Sequence, residues 1–327
     1  MKIKSCLYFL GLSCFPISIL SLINIFYSFY FDYLLNINSY LAVLIISTFL
    51  GIIFYKVGKN EYKKIDIYGE LFLILLIYFF TSCLILIPFY FSGYDISLIN
   101  SYFESISGIT GTGFTTLENI SYLDNPLILW RSSSQWVGGL YFLFSIIILI
   151  EIFDLNFKKT FTDFFLLNNS ELLKQLFKIL ILYSSLTLFI FVLLKISGFR
   201  YLDSLNLSFT IISSGGFLPI NNLDSILNSN IKEIVLSSSM LLSFFSLFLI
   251  YNLLFLKNKK INFYQEDIYL VIYLIIVLAF FTLFTNFNKN FTELFLSIAS
   301  SVSNIGFSKN SFETDNSFLF LILIIIG

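Results

Sequence analysis

The chain has 327 residues, 57% of them hydrophobic and 20% aromatic, with 12% charged and a formal net charge of −1. With a mean hydropathy of +0.89 and a charged fraction far below the ~25% usual in soluble domains, this composition excludes a water-soluble globular domain and identifies an integral membrane protein. The balanced charge and scattered basic residues exclude a nucleic-acid-binding surface, and a chain without histidine whose cysteines (Cys6, Cys14, Cys83) lie in apolar segments offers no basis for disulfides, zinc or histidine-based catalysis.

A helix needs about 20 apolar residues to cross roughly 30 Å of hydrocarbon. Such stretches fall near 5–27, 39–56, 69–92, 127–152, 174–197, 232–256, 267–286 and 316–327, the last cut by the end of the sequence. The first begins Met-Lys-Ile-Lys, but its apolar core is too long for a signal peptide and no small-x-small cleavage site follows, so it is expected to remain as a helix. With the N-terminus inside, Lys2, Lys4, Lys56, Lys59, Lys63, Lys64, Lys158, Lys159, Lys174, Lys178, Lys257, Lys259 and Lys260 all fall on the cytoplasmic side. Arg131, Lys195, Arg200, Lys232, Lys289 and Lys309 fall outside, so a multi-pass topology with a cytoplasmic N-terminus satisfies the positive-inside rule.

Three outside connections, 93–126, 198–231 and 287–315, are long and only weakly charged. Each contains a segment of about ten residues, apolar and hydroxyl-rich, too short to span and followed by Gly-Phe, which reads as a re-entrant half-helix about 15 Å long. Superposed on Gly113, Gly216 and Gly306, the three segments fall into register. Phe114, Phe217 and Phe307 follow the glycine; Thr110, Ser213 and Ser303 precede it by three, Ile109, Ile212 and Val302 by four, and Ser107, Thr210 and Ser300 by six. Asn100, Asp203 and Glu293 stand thirteen before it, polar groups suited to a helix start. The pattern is an internal repeat of membrane helix, half-helix, glycine-bearing return strand and second membrane helix. It predicts an all-α membrane protein built of an N-terminal helix pair (1–64), a first repeat (65–160), a second (170–260) and an incomplete third (264–327).

Irregular backbone at membrane depth is tolerated only where it is buried in protein or lines a watery cavity. Glycine permits backbone angles that aim successive carbonyls at one axis, and a ring of carbonyls can replace the hydration shell of an alkali cation. The negative, C-terminal end of each half-helix would point at mid-membrane and favour a cation there. No carboxylate lies in the three return strands, and none is needed.

The segments FESISGITGTGFTT (103–116), WRSSSQWVGGL (130–140), TIISSGGFLPI (210–220) and SIASSVSNIGFS (297–308) resemble the Trk/Ktr/HKT superfamily of potassium transporters, built of four helix–pore-loop–helix repeats. Trp-Arg, three residues, then Gln-Trp-Val-Gly-Gly is the most specific of these motifs, and the helix pair at 5–56 resembles the Trk branch. The resemblance implies potassium uptake across a bacterial inner membrane, with potassium as substrate and no cofactor. It implies coordination by backbone carbonyls of Thr110, Gly111, Thr112 and Gly113, of Ser213, Ser214, Gly215 and Gly216, and of Ser303, Asn304, Ile305 and Gly306. Glycine at each key position resembles the potassium-selective members. A homodimer in the bilayer and a cytosolic nucleotide-binding regulatory subunit are further implications.

Arg131, beside Trp130, sits where interfacial anchors lie, while Ser134, Gly138 and Gly139 suit close helix packing and Glu104 suits solvation at the pore mouth or a hydrogen bond within its loop rather than ion binding. The third loop departs from the family in lacking a threonine run, and the sequence stops before a fourth repeat, so three loops by themselves are not expected to close a four-sided filter. A non-conducting remnant is one alternative. A secondary transporter for another cation or small solute is a second, although such proteins carry intramembrane charge, whereas Glu151 and Lys195 lie near helix ends. An enzyme is disfavoured because no His, Asp, Glu or Cys cluster converges in the membrane segments.

Overall fold

A computed structural model of the chain describes residues 3–59, 67–153, 172–244 and 291–307, with Lys309 and scattered positions between 269 and 279. The expected span at 316–327, most of 267–286, and nearly all of the connections around 153–173 and 257–266 expected on the cytoplasmic side lie outside the described residues. No strand occurs among the described residues. Contacts divide the chain into two compact units, Met1–Ile181 and Leu182–Gly327.

The first unit contains α1 (Ile3–Tyr30), α2 (Ile37–Gly58), α3 (Ile67–Tyr90), the short α4 (Leu98–Thr110) and α5 (Asn125–Phe153). Its core joins Cys14 and Ile17 of α1, Tyr40 and Val43 of α2, Ile85 and Phe89 of α3, Ile109 of α4 and Trp130 and Val137 of α5. The backbones of α1 and α2 come close where glycines face each other: a Cβ added at Gly11 would lie 2.6 Å from the Tyr55 amide nitrogen and 2.9 Å from the Gly51 carbonyl oxygen. Packing of this kind stabilises helix pairs where no water is available to drive association. Gly11→Val is therefore expected to destabilise the hairpin by about 1–3 kcal/mol through overpacking, read as a lower thermal midpoint in detergent; an unchanged midpoint would contradict the close approach.

At the end of this bundle Asn36 joins three segments. Its side-chain oxygen accepts from the Gly93 amide at 3.1 Å, and its amide nitrogen donates to both Asp124 oxygens at 3.0 and 3.1 Å. These hydrogen bonds tie the start of α2, the end of α3 and the start of α5 together, beside the apolar packing of Tyr40, Phe89 and Leu127. Burial pushes the Asp124 carboxyl above its ordinary range, an effect the Asn36 hydrogen bond opposes.

The second unit begins within α6 (Leu172–Ile196) and contains α7 (Tyr201–Ile212), α8 (Asn230–Phe244) and α9 (Phe291–Val302). Its core unites Ile190 and Leu194 of α6, Leu207 and Ile211 of α7, Leu236 and Met240 of α8, and Leu296 and Ala299 of α9. The return strand after α9 adds Ile305 and Phe307.

Four described helices are long and apolar enough to cross a membrane: Lys4–Tyr30, Ile37–Gly58, Tyr68–Tyr90 and Phe177–Ile196. In the first unit these helices expose Phe26, Phe29, Ile45, Phe49, Leu75 and Phe79, and in the second Leu188, apolar side chains suited to lipid rather than water. The three half-helices are 13, 12 and 12 residues long, slightly beyond the ten expected and still too short to span.

Candidate functional site

Each half-helix ends in the same turn. After α4 the Gly111 amide donates to the Gly108 carbonyl at 3.0 Å and the Thr112 amide to the Ser107 carbonyl at 3.0 Å. After α7 the donors are Ser214 to Ile211 at 3.2 Å and Gly215 to Thr210 at 2.9 Å; after α9 they are Asn304 to Ser301 at 3.3 Å and Ile305 to Ser300 at 3.2 Å. This paired closure is the Schellman motif, which needs a left-handed residue just past the helix. Gly111 (φ 68°) supplies it in the first loop, but Ser214 (φ 51°) and Asn304 (φ 55°) supply it in the others, against the usual preference for glycine. Two residues later the backbone turns left-handed again at Gly113 (φ 79°), Gly216 (φ 80°) and Gly306 (φ 79°). Only glycine takes that conformation without strain, which gives the register glycine its physical reason.

The predicted coordinating residues therefore occupy equivalent places. Thr110 is the last residue of α4, with Gly111, Thr112 and Gly113 leading away from it. Ser213 and Ser214 form the turn after α7, with Gly215 and Gly216 following, and Ser303 and Asn304 form the turn after α9, with Ile305 and Gly306 following. Among the described residues, the carbonyls of Thr110 to Gly113, of Ser213, Ser214 and Gly216, and of Ser303 to Gly306 accept no hydrogen bond, so they are available as oxygen ligands.

The position six before the glycine also has a role that the alignment alone leaves unexplained. Ser107 Oγ donates to the Phe114 carbonyl at 2.6 Å and Thr210 Oγ1 to the Phe217 carbonyl at 3.0 Å. A hydroxyl in the half-helix thus ties down the far end of the return strand. Helix start is a point of difference: the α4 cap is Ser97, whose side chain accepts from the Asn100 amide at 3.3 Å, so Asn100 lies inside the first turn. Asp203, in the first turn of α7, is held by Arg200 at 2.7 Å.

Behind the first loop stands an ion pair that sequence reasoning places elsewhere. Arg131 is not an interfacial anchor: it is 1% exposed, and its Nε donates to Glu104 Oε2 at 3.3 Å. Glu104, itself fully buried, accepts through Oε1 from the Thr115 hydroxyl and from the Thr116 amide at 2.7 Å. One carboxylate on the half-helix therefore clamps the return strand just past Gly113 while a guanidinium on α5 compensates its charge. Trp130 is equally buried, donating from its indole N–H to the Ile85 carbonyl of α3 at 3.0 Å. Gln135 is buried as well, and Ser134 bonds back to the Arg131 carbonyl at 2.6 Å. A Cβ added at Gly138 would lie 2.1 Å from the Ile109 carbonyl oxygen, so the end of α4 rests directly on α5. The Trp-Arg to Gly-Gly motif backs the half-helix from behind.

These features define a membrane protein of the helix–pore-loop–helix class, with short helices ending in glycine-bearing strands that present free carbonyls. The chain matches the crystal structure of the potassium transporter TrkH from Vibrio parahaemolyticus with a TM-score of 0.79 at 20% identity, over 99% of this chain and 69% of that one. In sequence it is 29% identical over 233 residues to an uncharacterised cation transporter of Methanocaldococcus jannaschii, covering 67% of this chain and 46% of the relative. It is 44% identical over 54 residues to the Trk system potassium uptake protein TrkI of Halomonas elongata and 25% identical over 163 residues to TrkG of Escherichia coli, spans that cover 11% and 34% of those proteins. The chain thus resembles the Trk potassium uptake proteins in sequence and has the TrkH membrane fold. It matches less than half the length of these relatives, and no family model matches it.

Proposed function

We propose that the chain is a potassium-translocating membrane subunit whose cargo passes the carbonyls of Thr110 to Gly113, Ser213 to Gly216 and Ser303 to Gly306. The observation that carries this reading is the shared geometry of the three loops: the same helix-end closure, followed by a glycine at φ near 80°. Backbone carbonyls bind an alkali cation without a fixed counter-charge, and the negative ends of α4, α7 and α9 add to the attraction. Trk relatives that transport potassium support the choice of cation. On the same footing we read 65–160, 170–260 and 264–327 as successive repeats behind an N-terminal helix pair at 1–64. The protein lies in a bacterial inner membrane with its N-terminus in the cytoplasm, acts as a homodimer and is regulated by a cytosolic nucleotide-binding subunit.

Substituting Gly113 or Gly216 by leucine forces a side chain into a left-handed conformation. Each variant is expected to abolish potassium-dependent growth of cells lacking potassium uptake, with the amount of protein in the membrane unchanged. The chain is expressed both with and without the reading frame that follows it. Growth equal to wild type would sink the filter assignment.

A further inference from the structure

The return strand must be held in place on its way out of the turn, and the residue three past the key glycine is restrained differently in each repeat. In the first loop that residue is Thr116, whose amide is fixed by Glu104. In the second it is Pro219, buried and with its φ set by its own ring. In the third it is Lys309, a residue type with neither property.

Lys309 Nζ contacts Glu233 Oε1 of α8, and it lies 3.3 Å from Glu293 Oε1 in the first turn of α9. Glu233 is 4% exposed, and its second oxygen is buried without a hydrogen-bond partner. Among the described residues, this carboxylate therefore depends on the Lys309 ammonium for its compensation, as Glu104 depends on Arg131. We propose that Lys309 is a positioning residue that straps the third return strand to its own half-helix through Glu293 and to the preceding repeat through Glu233. The strap thereby sets the position of the Ser303 to Gly306 carbonyls. This rests on the reading of those carbonyls as cation ligands. The four-carbon stem lets the ammonium reach both carboxylates, and any shift of α8 against α9 is transmitted to the strand three residues from Gly306.

Two measurements test it. In purified chain held in detergent, Lys309→Met is expected to lower the thermal midpoint by roughly 4 °C or more, because a buried carboxylate loses its partner. Lys309→Arg should retain most of the midpoint, and Glu233→Lys combined with Lys309→Glu should recover more of it than either single change. In cells, preference for Rb⁺ over Na⁺ uptake is expected to fall about tenfold in Lys309→Met, since carbonyl ligands displaced by a fraction of an ångström lose discrimination, and to be restored in Lys309→Arg. A lower midpoint with unchanged ion preference would reduce Lys309 to a structural tie and overturn the positioning role. An unchanged midpoint would remove the strap altogether. Uptake of neither ion by the wild-type chain, even when it is expressed with the reading frame that follows it, marks failure of the potassium reading, which the thermal data then separate from failure of the strap.

Discussion

Arg131→Met is expected to abolish potassium uptake and to lower the thermal midpoint of the purified chain by roughly 5–10 °C, the scale set by the ~3–5 kcal/mol cost of leaving one member of a buried ion pair alone. Glu104 would remain fully buried with two hydrogen bonds from the return strand and no guanidinium. A buried carboxylate left without its counter-charge is strongly destabilising, so its side chain is expected to turn out of its place. That movement releases Thr115 and Thr116 and lets the strand beyond Gly113 move. Adding Glu104→Gln to Arg131→Met removes the stranded charge while keeping one acceptor for the Thr116 amide. The double variant should regain more than half of the lost thermal stability, as neutral replacements of buried pairs often do. A double variant no more stable than the single would show that the pair contributes by something other than mutual charge compensation.

Gly138→Ala should be nearly as severe for transport. The added methyl would lie 2.1 Å from the Ile109 carbonyl oxygen and 2.7 Å from its carbonyl carbon, both backbone atoms of the residue before Thr110. No rotamer relieves this contact, so α4 must move away from α5 by about 1 Å. Overpacking of this kind costs about 1–3 kcal/mol in stability. Displacing ligands by such a distance costs on the order of a hundredfold in rate. Uptake of Rb⁺, normalised to protein in the membrane, is the measurement, and Gly93→Ala is its control: there the nearest atoms a Cβ would meet are those of the Leu35 side chain at 3.4–3.5 Å, an ordinary contact. Transport by Gly138→Ala equal to that of the control would remove the claim that α5 positions the first loop.

Residue order alone is enough to locate the elements that the bilayer dictates locally. A lipid environment demands about 20 apolar residues for a span, and helices are the only open structure that satisfies their own backbone within it. The beginnings of α1 to α3, α5, α6 and α8 therefore fall within two residues of the apolar stretches. The half-helices were legible from three short segments sharing one register, and Gly113, Gly216 and Gly306 were legible as special because a left-handed backbone selects glycine. Ser214 and Asn304 were not legible in that role, since the Schellman closure imposes φ near 50° on whichever residue follows the helix. The remaining features follow from helix packing: that Arg131 faces Glu104 rather than a headgroup, that Gly138 touches Ile109, and that Lys309 reaches Glu233. These partners are separated by 27 and 76 residues for the two ion pairs. A polar residue in an apolar helix can end in lipid headgroups, a pore or a buried pair with the same local sequence. Which of these it meets depends on how the helices pack, and packing is a property of the whole unit.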